Sequence, residues 1–190
     1  MARSVPSLWL ARHGETAWTL SHQHTGRTDL DLTPAGETAA RDELAPKLAG
    51  VTFELALSSP LRRARETARL AGFEPELDDR LREFDYGDYE GLTTAEIRRE
   101  RPDWDLWTDG CPGGETAEDV GARMDSVIAE RLRGAAERVL VFGHGHALRI
   151  LAARWLGLSA REGRVLLLPP AALGVMGAEH GRPVIERWGV

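Results

Sequence analysis

The sequence holds one cysteine, Cys111, so no disulfide can form within the chain, and a reducing compartment is the weak expectation. No apolar run reaches 18 residues, which argues against a transmembrane helix. Residues 1–6 carry a single Arg and no apolar run of signal-peptide length, so a cytoplasmic protein is expected. Basic residues are not in excess: 24 Lys and Arg stand against 30 Asp and Glu, a net charge of -6. That balance argues against a nucleic-acid binder but leaves room for a local basic pocket that takes a small anion. Internal repeats, low-complexity tails and linkers are lacking too. The composition, 42% hydrophobic and 28% charged, is that of an ordinary globular protein, and 190 residues suit one domain, 1–190.

Two motifs are missing as well. No G-x-G-x-x-G follows the first apolar run, which argues against a dinucleotide site. No H-E-x-x-H is present. Metal ligation by His13 with His22 and His24, or by His144 with His146, competes as a reading. The neighbouring arginines disfavour a dication, and no metal is expected.

Strand and helix signals alternate along the chain. Leu8–Ala11 reads as a strand start, and residues 12–32 as a loop with one helical turn. Thr33-Pro34 signals a helix to Leu48, stopping near Gly50. Phe53–Leu57 reads as a strand. Ser59-Pro60 repeats the cap signal and opens a helix over residues 60–71. Glu76–Leu81 is ambiguous, a short strand at most. Residues 82–92 read as a loop, 94–100 as a short helix and 102–114 as irregular chain; together 82–114 form an insertion or lid. Glu115–Leu132 shows the 3.6-residue apolar period of a helix. Val139–Phe142 reads as a central strand, followed by a helix over residues 147–157. Val165–Leu168, Ala172–Met176 and Val184–Trp188 read as further strands, the last at an edge. The alternation predicts an α/β class chain, a three-layer α/β/α sandwich with a mostly parallel sheet.

In such sheets ligands bind at the carboxyl ends of strands. Arg12-His13-Gly14, Arg62-Arg63 and His144 all fall there. Arginine offers a fixed fork of donors to a phosphate or sulfate, and a helix N-terminus offers free N–H groups. An imidazole can act as nucleophile or base. An acid for a leaving oxygen would come from Glu83, Asp85, Asp88 or Glu90, and chemistry alone favours Glu83 only slightly over Asp85.

Four stretches in this order carry a resemblance: "LARHGETAWTL" (10–20), "SPLRRARETA" (59–68), "LREFDYGDYEGL" (81–92) and "VFGHGHALR" (141–149). The chain resembles the histidine phosphatase superfamily, the phosphoglycerate-mutase-like group, over nearly its whole length. "HTGRTDLDLTPAGE" (24–37) and "WTDGCPGGET" (107–116) are similar to the small bacterial acid phosphatases and the sedoheptulose-bisphosphatase-like branch. The resemblance implies His13 as the nucleophile, Arg12 and Arg63 as phosphate clamps, and His144 beside the transferred phosphoryl. Glu83 becomes the acid and then the base, and the Gly145 N–H is left available at a helix start. Thr19, Thr25 and Gly26 become further phosphate-binding positions, although Thr19 stands where relatives often carry Asn or Ser. No cofactor is implied. The expected partner is a small phosphomonoester, with no nucleic acid or membrane, and a homodimer through the C-terminal edge strand stays open.

Phe84 and Thr94 replace an Arg and a Lys of the mutases, which favours a phosphatase. A cofactor-dependent phosphoglycerate mutase and a catalytically silent binding protein remain alternatives. His22, His24 and His146 are not expected to act chemically, and His146 is expected to bond nearby backbone. Arg27 is placed at the substrate entrance, Arg62 with solvent or a carboxylate, and the tryptophans mainly in packing. Cys111 lacks a base partner and is read as structural.

Overall fold

A computed structural model describes residues 5–134 and 136–190. The reading of the first residues as free of a signal segment therefore lies, for residues 1–4, outside the described part. Six strands form one sheet: β1 (Ser7–Arg12), β2 (Leu55–Ser58), β3 (Glu76–Leu77), β4 (Arg138–Gly143), β5 (Leu173–Glu179) and β6 (Arg182–Arg187). Their order is β3-β2-β4-β1-β5-β6. The first four strands run parallel, while β5 and β6 are antiparallel. No helix among the described residues is long and apolar enough to cross a membrane.

Alternation along the strands builds two cores, because successive side chains point to opposite faces. Leu8 and Leu10 of β1 join Val139 and Val141 of β4 on one face, packed under the helices Ala117–Val127 and Gly145–Trp155. Trp9 and Ala11 join Leu140 and Phe142 on the other, under Leu44, Leu48 and Ala68. This is the expected α/β/α sandwich. Trp9 and Trp155 are core residues, as read.

The helix after Thr33 starts as predicted, with the Thr33 hydroxyl accepting the Gly36 N–H at 3.0 Å and Pro34 in the first turn. It widens into a π turn over Ala40–Leu44 and then resumes to Leu48. Pro46 has no N–H for the regular ladder, and the Ala45 N–H reaches back to Ala40 instead.

Three expectations need correction. Val165–Leu168 is not a strand: a 3-10 helix covers Ala160–Val165 and irregular chain follows. Leu168 is buried and Leu167 exposed, so the pattern looks like a strand. The carbonyls there accept from side chains instead: Leu168 from Arg12 and Leu167 from Trp188. Ser59 does not cap its helix, which runs Arg62–Leu70 with Leu61 at the cap and no side-chain bond there. The Ser59 hydroxyl is bonded to His144. His146 bonds the Tyr86 hydroxyl at 2.6 Å rather than backbone.

Residues 82–114 are tied to the larger core through Phe84, Tyr86, Ile97, Trp104 and Trp107, all buried. The stretch read as irregular holds a short helix, Leu106–Asp109.

Candidate active site

The register between β1 and β4 pairs Arg12 with Gly143, so the residues that follow, His13 and His144, leave the sheet side by side. Their ring centroids lie 5.2 Å apart. On the other side of β4, β2 pairs Ser58 with Phe142, which sets Ser59 beside the same strand end. The parallel sheet thus turns three distant sequence positions into one cluster.

His13 is buried. Its Nδ1 meets the Gly14 carbonyl at 2.7 Å, and a carbonyl only accepts, so Nδ1 carries the proton and Nε2 the lone pair. Burial, then the charges of Arg63 and Arg12, hold His13 well below the usual imidazole range. The ring is therefore neutral. The Gly14 N–H donates to the Thr67 hydroxyl at 2.9 Å. Gly14 itself meets backbone: a Cβ there would stand 2.5 Å from the Gly36 carbonyl oxygen.

Arg12 donates through Nη1 to the Leu168 carbonyl at 2.7 Å, while its buried Nε has no partner. Burial lowers its pKa, against the nearby Glu83 charge. Gly145 lets this guanidinium approach the helix start, since a Cβ would lie 3.1 Å from Arg12 Cζ. Arg63 is fully buried. Nη1 donates to the Thr28 carbonyl, Nη2 to those of Thr25 and Gly26, and Nε to His144 Nδ1 at 3.2 Å. His144 Nε2 lies 2.7 Å from Ser59 Oγ. Since Nδ1 accepts from Arg63, Nε2 is the donor. Burial and the Arg63 charge hold His144 well below the usual range, so it too is neutral.

Glu83 sits on the N-terminus of the Gly145–Trp155 helix. Oε1 accepts from Phe84 N and Ala147 N at 2.8 Å, and Oε2 from His146 N at 3.1 Å. Arg12, His13, Glu83 and Gly145 line one cavity of about 190 Å³ together with Thr19 and Thr25. Asp85, the rival acid, lines a different cavity and pairs with Arg27 there.

The further expected positions are placed as follows. Thr19 Oγ donates to the Thr16 carbonyl at 2.8 Å and accepts the Thr16 N–H at 2.9 Å, closing a capping box. Thr25 Oγ donates to the Gln23 carbonyl at 3.2 Å. The Gly26 N–H is taken by Glu90. Arg62 pairs with Asp31, as read. Cys111 is buried, and burial pushes its thiol up to about 12, which leaves it inert. No group of three or more His, Cys, Asp or Glu that could hold a metal occurs among the described residues.

Ser59, Thr67 and Arg149 are not site candidates in the sequence, and Glu90 is one only as a possible acid. Ser59 and Thr67 both fall inside the 59–68 stretch, so the motif was the available signal. Arg149 closes the 141–149 stretch in the same way. The bonds of Glu90 to backbone groups of residues 26 and 28 carry no sequence signal, and they occupy the carboxylate that the sequence offers as a possible acid.

Fold and site together define an α/β protein with a cavity lined by Arg12, His13 and Glu83 at the carboxyl ends of its parallel strands. The histidine phosphatase superfamily (branch 1) matches residues 8–190, and the chain belongs to that family. It is 45% identical over 179 residues to an acid phosphatase of Mycobacterium tuberculosis, covering 92% of this chain and 87% of that one. It is 37% identical over 197 residues to sedoheptulose 1,7-bisphosphatase of Saccharomyces cerevisiae, covering 85% of this chain and 72% of the relative. The solved structure of a Mycobacterium tuberculosis open reading frame superposes with a TM-score of 0.90 at 42% identity, over 97% of each chain.

Proposed function

We propose that the protein hydrolyses small phosphomonoesters in two steps through a phosphohistidine on His13. In the first step His13 Nε2 attacks phosphorus in line; the P–N bond forms as the P–O bond to the alcohol breaks. Glu83 gives the leaving oxygen its proton from Oε2, the oxygen with a single N–H donor. In the second step water attacks the phosphoryl group, Glu83 takes the water's proton, and His13 leaves as the neutral ring it began as. Arg12 and Arg63 hold the charge that spreads over the equatorial oxygens, and His144 orients Arg63.

The observation that carries this reading is the pair Arg12 and His13. A buried guanidinium with an unpartnered Nε stands next to an imidazole whose tautomer is fixed by Gly14. An oxyanion would supply the missing acceptor, and the free ring nitrogen would supply the nucleophile. The names of the acid phosphatase and bisphosphatase relatives agree with hydrolysis of phosphate esters.

The test is phosphate release from a panel of small phosphomonoesters with chelator present, including 3-phosphoglycerate with and without 2,3-bisphosphoglycerate. Free phosphate with no isomer formed is expected, together with an acid-labile phosphoenzyme in a rapid quench. Interconversion of 2- and 3-phosphoglycerate with little free phosphate would make the protein a mutase. Near-normal turnover in His13→Ala would remove the nucleophile assignment.

A further inference from the structure

Glu83 stands on chain that has no regular structure. A 3-10 turn ends at Leu81, and residues 82–86 belong to neither helix nor strand. No ladder of backbone bonds fixes the position of this acid, so other groups must hold its backbone. One guanidinium holds most of it. Arg123, on the helix Ala117–Val127, donates through Nη1 to the carbonyls of Arg80 at 2.6 Å and Arg82 at 2.8 Å. Its Nη2 donates to the carbonyl of Glu83 itself at 3.2 Å.

The guanidinium is held in turn by Glu115. Nε meets Oε1 at 2.8 Å and Nη2 meets Oε2 at 3.0 Å. An arginine fork has five N–H groups, and each of these has an acceptor here. Glu115 also grips the chain beyond Glu83, because its Oε2 accepts the Asp85 N–H at 2.9 Å and its own N–H donates to the Asp85 carbonyl at 2.9 Å. The backbone is thus tied before Glu83, at Glu83 and after it.

Arg123 and Glu115 do not line the cavity that holds His13. They line the neighbouring one, of about 180 Å³, with Glu83 between the two. The other charges of that second cavity are paired: Arg123 with Glu115, Arg82 with Asp79 and Arg27 with Asp85. The Glu83 carboxylate takes the N–H groups of Phe84, His146 and Ala147. No open charge is left there for a ligand, and the work of the pair falls on the backbone of the acid.

We propose that Arg123, held by Glu115, is a positioning residue for Glu83. It governs protonation of the leaving oxygen and takes no part in the phosphate clamp or in the attack by His13. This rests on the phosphomonoesterase reading above.

Two esters that differ in their need for an acid test it. 2,4-Dinitrophenolate is a stable anion and departs without a proton, whereas the alkoxide of glycerol 3-phosphate needs one. kcat/KM reports the steps up to the phosphoenzyme, so the later role of Glu83 as base does not enter. Arg123→Gln is expected to lower kcat/KM on glycerol 3-phosphate by about 10- to 100-fold more than on 2,4-dinitrophenyl phosphate. Arg123→Lys keeps the charge but has three donors for five acceptors, and its ratio is expected to fall by about 3- to 10-fold. An equal loss on both esters in a folded Arg123→Gln would make the residue purely structural and overturn the proposal, as would an unchanged ratio. Should Arg123→Gln not fold, the ratio in Arg123→Lys decides by the same criterion. Glu83→Gln checks the parent reading separately. If it leaves the ratio unchanged, Glu83 is not the acid and that reading fails. If Glu83→Gln lowers the ratio and the Arg123 variants do not, only the positioning role is lost.

Discussion

Glu90 holds the strand of backbone that holds Arg63. Its carboxylate accepts the Gly26 N–H at 2.9 Å and the Thr28 N–H at 3.0 Å. The carbonyls of the same two residues, with that of Thr25, accept from the Arg63 guanidinium. The buried arginine is thus oriented by a loop, and the loop by a carboxylate 64 positions along the chain from Gly26.

Removing that carboxylate is expected to loosen Arg63 without touching it. Glu90→Ala should lower kcat by at least 10-fold on p-nitrophenyl phosphate, because a clamp displaced by an ångström loses much of its effect. Glu90→Gln, which keeps one acceptor oxygen, should recover part of the loss. Equal kcat in wild type and Glu90→Ala would show that the loop holds its shape unaided.

Ser59 and His144 make a second testable pair. In Ser59→Ala the His144 Nε2–H loses its acceptor inside the core. An unsatisfied buried donor costs about 1–3 kcal/mol. Urea unfolding should show that loss, and Ser59→Thr should recover part of it. Unchanged stability in Ser59→Ala would mean that water replaces the hydroxyl.

The buried imidazoles give stability a defined pH dependence. His24 is held down to about 4 by burial, against an ordinary value of 6.5. The folded state therefore resists a proton that the unfolded state accepts. The unfolded chain binds more protons between these two values, so stability falls as pH drops from about 6.5 towards about 4. His13, His144 and His146 shift in the same direction and act with it. Melting temperature followed across that interval should fall, and His24→Gln should flatten the decline. A decline of the same slope in His24→Gln would assign it to other groups.

Gly14 offers a purely steric prediction. A Cβ at residue 14 would stand 2.5 Å from the Gly36 carbonyl oxygen, and one at residue 36 would stand 2.3 Å from the Glu15 carbonyl oxygen. Both obstacles are backbone and cannot swing aside. Gly14→Ala should cost about 1–3 kcal/mol, the usual range for overpacking, and should disturb the His13 tautomer contact next to it. Thermal unfolding reads the first effect and kcat the second. An unaltered Tm would show that the helix start can retreat.

By itself the sequence determined the α/β alternation, the helix start at Thr33, and the strand ends that carry Arg12, His13 and His144. Those features are local: a cap needs the next three residues, and a buried strand needs its own apolar run. The four motifs were also enough to place the chain in its family. Tertiary structure alone decided which polar groups meet. Ser59 reads locally as a helix cap, yet the β2–β4 register hands its hydroxyl to His144. Val165–Leu168 reads as a strand, but its carbonyls are taken by Arg12 and Trp188. Glu90 and Arg149 are ordinary charged residues in sequence. They gain their places because Glu90 finds backbone donors across the chain, and because half-buried Arg149 donates to the Gly163 and Arg164 carbonyls. Hydrogen-bond partners and counter-charges at such distances are set by strand order and packing, which local residue patterns do not encode.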